Sequence, residues 1–368
     1  MALIVKNKDS RIKQFPNSKI TAIIDGDYIA YKSAAVGDEH YIEVLHTTTG
    51  KVKEFKNVTE FKGRGKVVGG WLGDVNSERE AKGKPIFSVD AFTIESKVRR
   101  KVEFDDEGKQ LTGEESLRNI LYSAKSMLKS ALEGLETDKY VFYIGGKENH
   151  REDISTLMRY KGSRINTPKP LLFKEVREYL IDHFNAKVVT GIEVDDKVIM
   201  DAYGDNSKVV VAVDKDALSQ PVRVFNPTKP DKGIIDCDCF GELTDYDSKT
   251  SKANGYGRIH LYYQMLAGDT ADEYKANCMS DVKYGHKSAY DDLHECKDDK
   301  EALTKVIEVF KKLYPEAKVV ESWRGQEMMI DFLSVAREQF KLVSMLRFEG
   351  DSRTFDTELA LYEVEYEY

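Results

Sequence analysis

Four short apolar runs, each rich in β-branched or aromatic residues, constrain this chain most: ITAII at 20–24, YVFYI at 140–144, KVVT at 187–190 and KVVVAV at 208–213. None alternates polar with apolar, so each reads as a strand buried on both faces. Between the later runs lie helical patterns, such as KPLLFKEVREYLIDHF at 169–184 with Leu172, Val176, Leu180 and Phe184 on one face. Strands alternating with helices indicate an α/β fold with a mainly parallel central sheet flanked by helices.

The texture changes in two places. From about 38 to 112, the hairpin-like HYIEVLHTTTGKVKEF and the Gly-rich GRGKVVGGWLGD read as a β-rich insertion before a helix at about 114–134. After the turn-rich stretch 226–256 the pattern is helical, over 257–267, 286–296, 299–313 and 324–346. A catalytic α/β domain over 1–262 and a helical domain over 263–368 are expected.

All the runs but YVFYI are followed by acids: Asp25 and Asp27 after the first, Glu193, Asp195 and Asp196 after the third, Asp214 and Asp216 after the fourth. In an open parallel sheet the carboxyl ends of the strands share one edge, so these side chains converge and repel. LAGDTADEY adds Asp269 and Asp272 at the entrance to the helical region. Each cluster has an ordinary reading of its own. Asp-Gly is a common turn, EVDD suits a helix N-terminus, and DKD, with Lys215 turned away, suits a solvated loop. Four clusters together point instead to a cation, and oxygen-only donors without His or Cys favour Mg²⁺ or Mn²⁺.

The composition sets limits. A net charge of −8 argues against a protein that simply coats nucleic acid, while RYKGSRINTPKPLLFK at 159–174 has five basic residues and no acidic one. The four cysteines, Cys237, Cys239, Cys278 and Cys296, suit neither a disulfide framework nor a zinc site. No apolar run nears the ~18 residues of a membrane helix, and the N-terminus lacks the apolar stretch of a signal peptide. A cytoplasmic protein that does not engage membranes is expected.

The motifs IIDGDYIAYK, YIGGKENHRED with RYKGSR, GIEVDDKV, VAVDKDAL and QMLAGDTADEY, in this order, resemble the phage and bacterial 5′ nucleases related to flap endonucleases. The resemblance covers roughly 18–35 and 138–290. It implies a PIN-like 5′ nuclease core with a helical arch at about 147–184 and a helix-hairpin-helix-like DNA-binding domain. It also implies two Mg²⁺ or Mn²⁺ ions on Asp25, Glu193, Asp195, Asp196, Asp214, Asp216, Asp269 and Asp272. Lys161, Arg164 and Lys32 would act on the scissile phosphate, Tyr160 would stack on a base, and Arg151, Lys283 and Lys287 would contact nucleic acid. The expected substrate is DNA with a free 5′ end, flap or nick, with RNA primers in hybrid as a further class. The expected setting is phage replication or recombination in an infected bacterium, as a monomer alongside replication proteins. The pattern departs from the family at Gly146, where relatives often carry an acid.

Two other readings stay open. A haloacid-dehalogenase-like phosphatase would use Asp25 as nucleophile and Asp27 as acid, but gives EVDD, DKD and YKGSR no role. A catalytically silent nucleic-acid-binding protein would retain the fold alone.

Overall fold

The computed structural model describes residues 5–6, 14–65, 68–146 and 149–367. The chain divides into two compact units. The first comprises Met1–Ile29, Ala124–Ile165 and Tyr179–Tyr368, and the second Ala30–Ser123 and Asn166–Glu178.

The first unit is built on a sheet of β1 (Val5–Lys6), β2 (Thr21–Asp25), β3 (Lys139–Gly145), β4 (Lys187–Val189), β5 (Lys208–Val211), β6 (Arg223–Phe225) and β7 (Ile234–Asp236). These seven segments fill six positions, because β1 and β4 both pair with β3, whose other edge is taken by β2. The order continues β2, β5, β6, β7, with only β1 and β7 antiparallel to their neighbours. Every residue of β2 is buried. Helix Val194–Ala202 packs Val194, Val198 and Ile199 against Ile23, Val141 and Val210. Each such buried aliphatic side chain contributes roughly 1.5–3 kcal/mol. Because β2 lies between β3 and β5, connections leave it in both directions, and the crevice at its carboxyl end is where such sheets gather functional groups.

The same unit holds the C-terminal helices Arg258–Ala267, His286–Leu293, Asp299–Leu313, Phe332–Val343 and Phe355–Leu361. Arg258–Ala267 is buried all round, as a core helix is, and packs with Leu303, Phe310, Leu333 and Phe340. Its first turn is tied down by Arg258, which donates to both oxygens of Asp299 at 2.7 and 2.8 Å. The helix expected over 324–346 is shorter, because Lys318–Glu321 and Glu327–Ile330 form a hairpin. KVVE and EMMI suit strands, and Gly325, at φ 76°, makes the turn between them.

The second unit centres on a three-stranded antiparallel sheet, with Asp38–His46 between Val52–Phe55 and Phe92–Arg100. Helices Val58–Lys62 and Gly70–Ala81 bury Phe61 and Leu72 against Ile42, Val44 and Phe55. The Gly-rich stretch thus contains a helix, and Lys66 and Val67 within it lie outside the described residues. The segment expected as an arch holds helix His150–Ile154, a 3-10 turn at Gly162–Asn166 and helix Phe173–Phe184, with Lys147 and Glu148 outside the described residues. No described helix is long and apolar enough to cross a membrane.

Candidate metal centre and its ion-paired surround

Asp25 closes β2, and the chain turns at Gly26 into helix Asp27–Ala34. Only glycine fits there, because a Cβ would lie 2.2 Å from the Phe142 ring and 2.6 Å from the Tyr143 carbonyl. The turn is fastened by Asp27 N–H donating to Asp25 Oδ1 at 2.9 Å and by Gly145 N–H donating to Asp27 Oδ1 at 2.9 Å. Asp27 is thereby a fastener of the strand ends.

Three carboxylates from separate segments feel one another here. Burial, then repulsion from Asp27 and Asp214, pushes Asp25 up from 3.8 to about 7. Burial, then repulsion from Asp25, Glu193 and Asp214, holds Asp195 well above the usual carboxylate range. Asp214 is pushed up to about 6 by burial of its inner side and by Asp216, with Asp216 N–H donating to its Oδ1 at 3.0 Å. Exposure grades across the trio: Asp25 is 7% exposed, Asp195 half-buried and Asp214 open to solvent. Solvent screening therefore weakens the repulsion on Asp214 relative to that on Asp25.

The remaining acids have cationic partners. Arg151, 2% exposed, places Nη1 2.7 Å from Glu193 and 2.6 Å from Asp196. It also reaches Asp196 Oδ1 at 2.9 Å and the carbonyls of Leu342 and Ser344 at 3.2 Å each. Asp196 is fully buried and takes a further bond from Leu346 N–H at 2.9 Å. Two expectations give way on this geometry. Arg151 is sealed from nucleic acid, and Asp196 anchors the C-terminal helices to the sheet with both oxygens engaged by protein donors.

Burial opposes ionisation of Glu193, but Arg151 and Lys161 outweigh it and hold its carboxyl below the usual range. Lys161 donates to Glu193 and lies 3.9 Å from Asp272. Its backbone has φ 53°, a conformation rare for a lysine, fixed by its N–H on the Asp272 carbonyl at 3.1 Å. Arg164, half exposed, pairs with Asp272 at 2.7 Å. Tyr160 is 6% exposed, its hydroxyl 3.1 Å from Glu193 and 3.0 Å from Asp272, so it orients these carboxylates and offers no face to a base.

Lys215 is not turned away. Its ammonium bridges Asp216 at 2.6 Å and Asp269 at 2.8 Å. Gln264 donates to the same Asp216 oxygen, and Ala271 N–H donates to Asp269 at 2.7 Å. Close to Lys215 and Asp216, His260 is 1% exposed with neither ring nitrogen partnered among the described residues, and burial pushes it down to about 4. Three participants escaped the sequence reading: Lys215; Gln264; and Asn149, whose amide donates to Glu193 at 2.8 Å. Only Lys215, flanked by two acids in DKD, carried a signal.

Gly146 has no carboxylate for a physical reason. A Cβ there would lie 2.3 Å from the Val189 carbonyl. Lys283 is exposed, and Lys287 pairs with Asp291 one helical turn on while covering Tyr246 and Tyr290. Lys32 lies exposed in the last turn of its helix, within the second unit.

By donor type and charge, Asp25, Asp195 and Asp214 fit a hard divalent cation, since oxygen ligands that cannot all ionise together are relieved by one. They do not form a preset cage: among the described residues no three His, Cys, Asp or Glu side chains stand ready to share one ion. No protein-family model matches the chain, and no curated protein sequence matches it significantly.

Proposed function

We propose that the protein is a metal-dependent 5′ to 3′ nuclease, an exonuclease or flap endonuclease acting on DNA with a free 5′ end. The observation that carries this reading is the mutual repulsion of Asp25, Asp195 and Asp214 at the carboxyl edge of the parallel sheet, beside the cations Lys161 and Arg164. In this reading those three carboxylates hold Mg²⁺ or Mn²⁺. Bound there, the ions would polarise the phosphoryl oxygens and acidify the attacking water.

The chain's own groups do the rest. Arg151 and Tyr160 hold Glu193 in one orientation, and Lys161 sits on that carboxylate with most of its stem buried. Arg164, more exposed, is free to exchange its carboxylate for a phosphate, and both cations gain most where charge builds on phosphorus. The finer fold reading belongs to the same proposal: a PIN-like 5′ nuclease core with a helix-hairpin-helix-like C-terminal region, used in phage replication or recombination. The phosphatase alternative draws no support from Asp27, whose Oδ1 accepts from Gly145.

The test is a product-length assay on 5′-labelled flap, nicked, blunt and RNA:DNA substrates, with Mg²⁺ or Mn²⁺. Short 5′ products from at least one DNA substrate are expected, and Asp214→Asn should cost roughly 100-fold or more, since an ion contributes several kcal/mol. No cleavage of any substrate with either ion would overturn the proposal.

A further inference from the structure

The sheet of the second unit carries a cleft that the nuclease reading does not use. In its register Val44 faces Lys53 on one side and Ile94 on the other, and His46 faces Phe92. Side chains two apart share a face, so Lys53 occupies a position on the apolar face, between Phe55 and the end of the strand. Phe61 and Leu72 cover that face where Ile42 and Phe55 lie. There is also a cleft of about 420 Å³, lined by His46, Lys51, Lys53, Trp71, Phe87 and Phe92 among others. That volume falls within the roughly 300–1,000 Å³ of small-ligand pockets.

The lining has a definite chemistry. His46 meets Phe87 and Phe92 edge-on, each with ring centroids 4.9 Å apart. The Lys53 ammonium lies 4.5 Å from the Trp71 ring centroid and 5.3 Å from that of Phe55. No carboxylate lines the cleft, and among the described residues neither Lys51 nor Lys53 has an ion-pair partner. The Nδ1 of His46 accepts from Thr49 N–H at 3.2 Å, which leaves the proton of the neutral ring on Nε2. That Nε2 is buried and has no hydrogen-bond partner among the described residues. Aromatic walls, one unused N–H donor and two cations without counter-ions suit a planar heterocycle with hydrogen-bond acceptors and an attached anion.

We propose that this cleft binds a nucleobase through its ring face, with the adjoining phosphate on Lys51 and Lys53. The base can come from a free mononucleotide or from an unpaired strand. The inference goes beyond the nuclease reading and uses none of its site residues.

Trp71 and Trp323 are the two tryptophans of the chain, so Trp323→Phe leaves Trp71 as the only indole reporter. The full-length variant would be titrated in EDTA with dAMP, with oligodeoxyadenylate and with pyrophosphate, following tryptophan emission. Saturable quenching by a base-containing probe is expected, weakened roughly tenfold or more by Lys53→Glu, the order expected when a charge-assisted contact to phosphate is replaced by repulsion. Saturation by dAMP identifies a free-nucleotide site, and saturation by the oligonucleotide alone identifies an unpaired-strand site. Lys51→Glu, in the adjoining loop, repeats the charge test should Lys53→Glu fail to fold. Equal quenching by pyrophosphate, no saturable quenching, or quenching unchanged in both charge variants would overturn the proposal.

Discussion

Glu193 and Asp196 face the Arg151 guanidinium across 2.7 and 2.6 Å, whereas Asp25, Asp195 and Asp214 have no ion-pair partner among the described residues and are raised by burial and by neighbouring carboxylates. Both groups arise from the same kind of sequence, acids just after a buried strand. The paired group holds the fold: Arg151 and Asp196 tie the sheet to the Leu342–Leu346 backbone. The unpaired group is costly to the fold alone, and this is why a ligand is sought there. Charge compensation by neighbouring side chains, more than the clustering of acids, separates the structural carboxylates from the functional ones.

The largest way to break this comparison is Arg151→Ala. Removing this buried cation strips Asp196 of its close guanidinium and leaves Glu193 with Lys161 alone, which should cost about 3–5 kcal/mol in denaturant unfolding. A loss below about 1 kcal/mol would put these acids in the same class as Asp25, Asp195 and Asp214.

Asp25→Asn sharpens it from the other side. The folded carboxyl titrates near 7, above its usual 3.8, so between those values the folded state holds a proton that the unfolded chain has lost. The Asp25 contribution to stability is therefore greatest at acid pH and falls as pH rises through that window. In EDTA near pH 8, Asp25→Asn should stabilise the chain by up to about 4 kcal/mol, with a flatter pH profile than wild type. Destabilisation at that pH would mean that Asp25 has a counter-charge.

A smaller effect is expected at Gly146. The family resemblance makes it the place of a missing ligand, so that Gly146→Asp should tighten metal binding. The Val189 carbonyl, 2.3 Å from a would-be Cβ, makes packing the controlling factor. Gly146→Ala should cost about 1–3 kcal/mol of stability in thermal or denaturant unfolding. A fully stable Gly146→Asp variant that binds Mg²⁺ more tightly would restore the ligand reading.

Much of the sheet was legible because its central strands are continuous apolar runs. β2 to β5 fall within a residue or two of ITAII, YVFYI, KVVT and KVVVAV. The outlying strands β1, β6 and β7 are only two or three residues long and carry no such signal. The second strand of the hairpin before Phe332 was absorbed into a helix because EMMI is as apolar as the helix that follows, and the first, KVVE, fell between two expected helices. At the site, acids could be found by position, but their partners could not. Whether Arg151 meets Asp196 or a phosphate depends on contacts 45 residues apart in the chain. Likewise Tyr160 reads as a stacking aromatic until its hydroxyl is seen between Glu193 and Asp272, 33 and 112 residues away.

The most direct test of the metal centre is a calorimetric titration of the full chain with Mg²⁺ and with Mn²⁺, beside Asp214→Asn and Asp269→Asn, in two buffers of different protonation enthalpy. Wild type should bind with release of protons, because carboxyls that titrate near neutrality must ionise to ligate. Asp214→Asn should lose most of that affinity and release fewer protons, whereas Asp269→Asn, whose parent is already held by Lys215, should change little. Wild-type affinity and proton release in Asp214→Asn, or their loss in Asp269→Asn alone, would contradict the assignment of the cation to Asp25, Asp195 and Asp214.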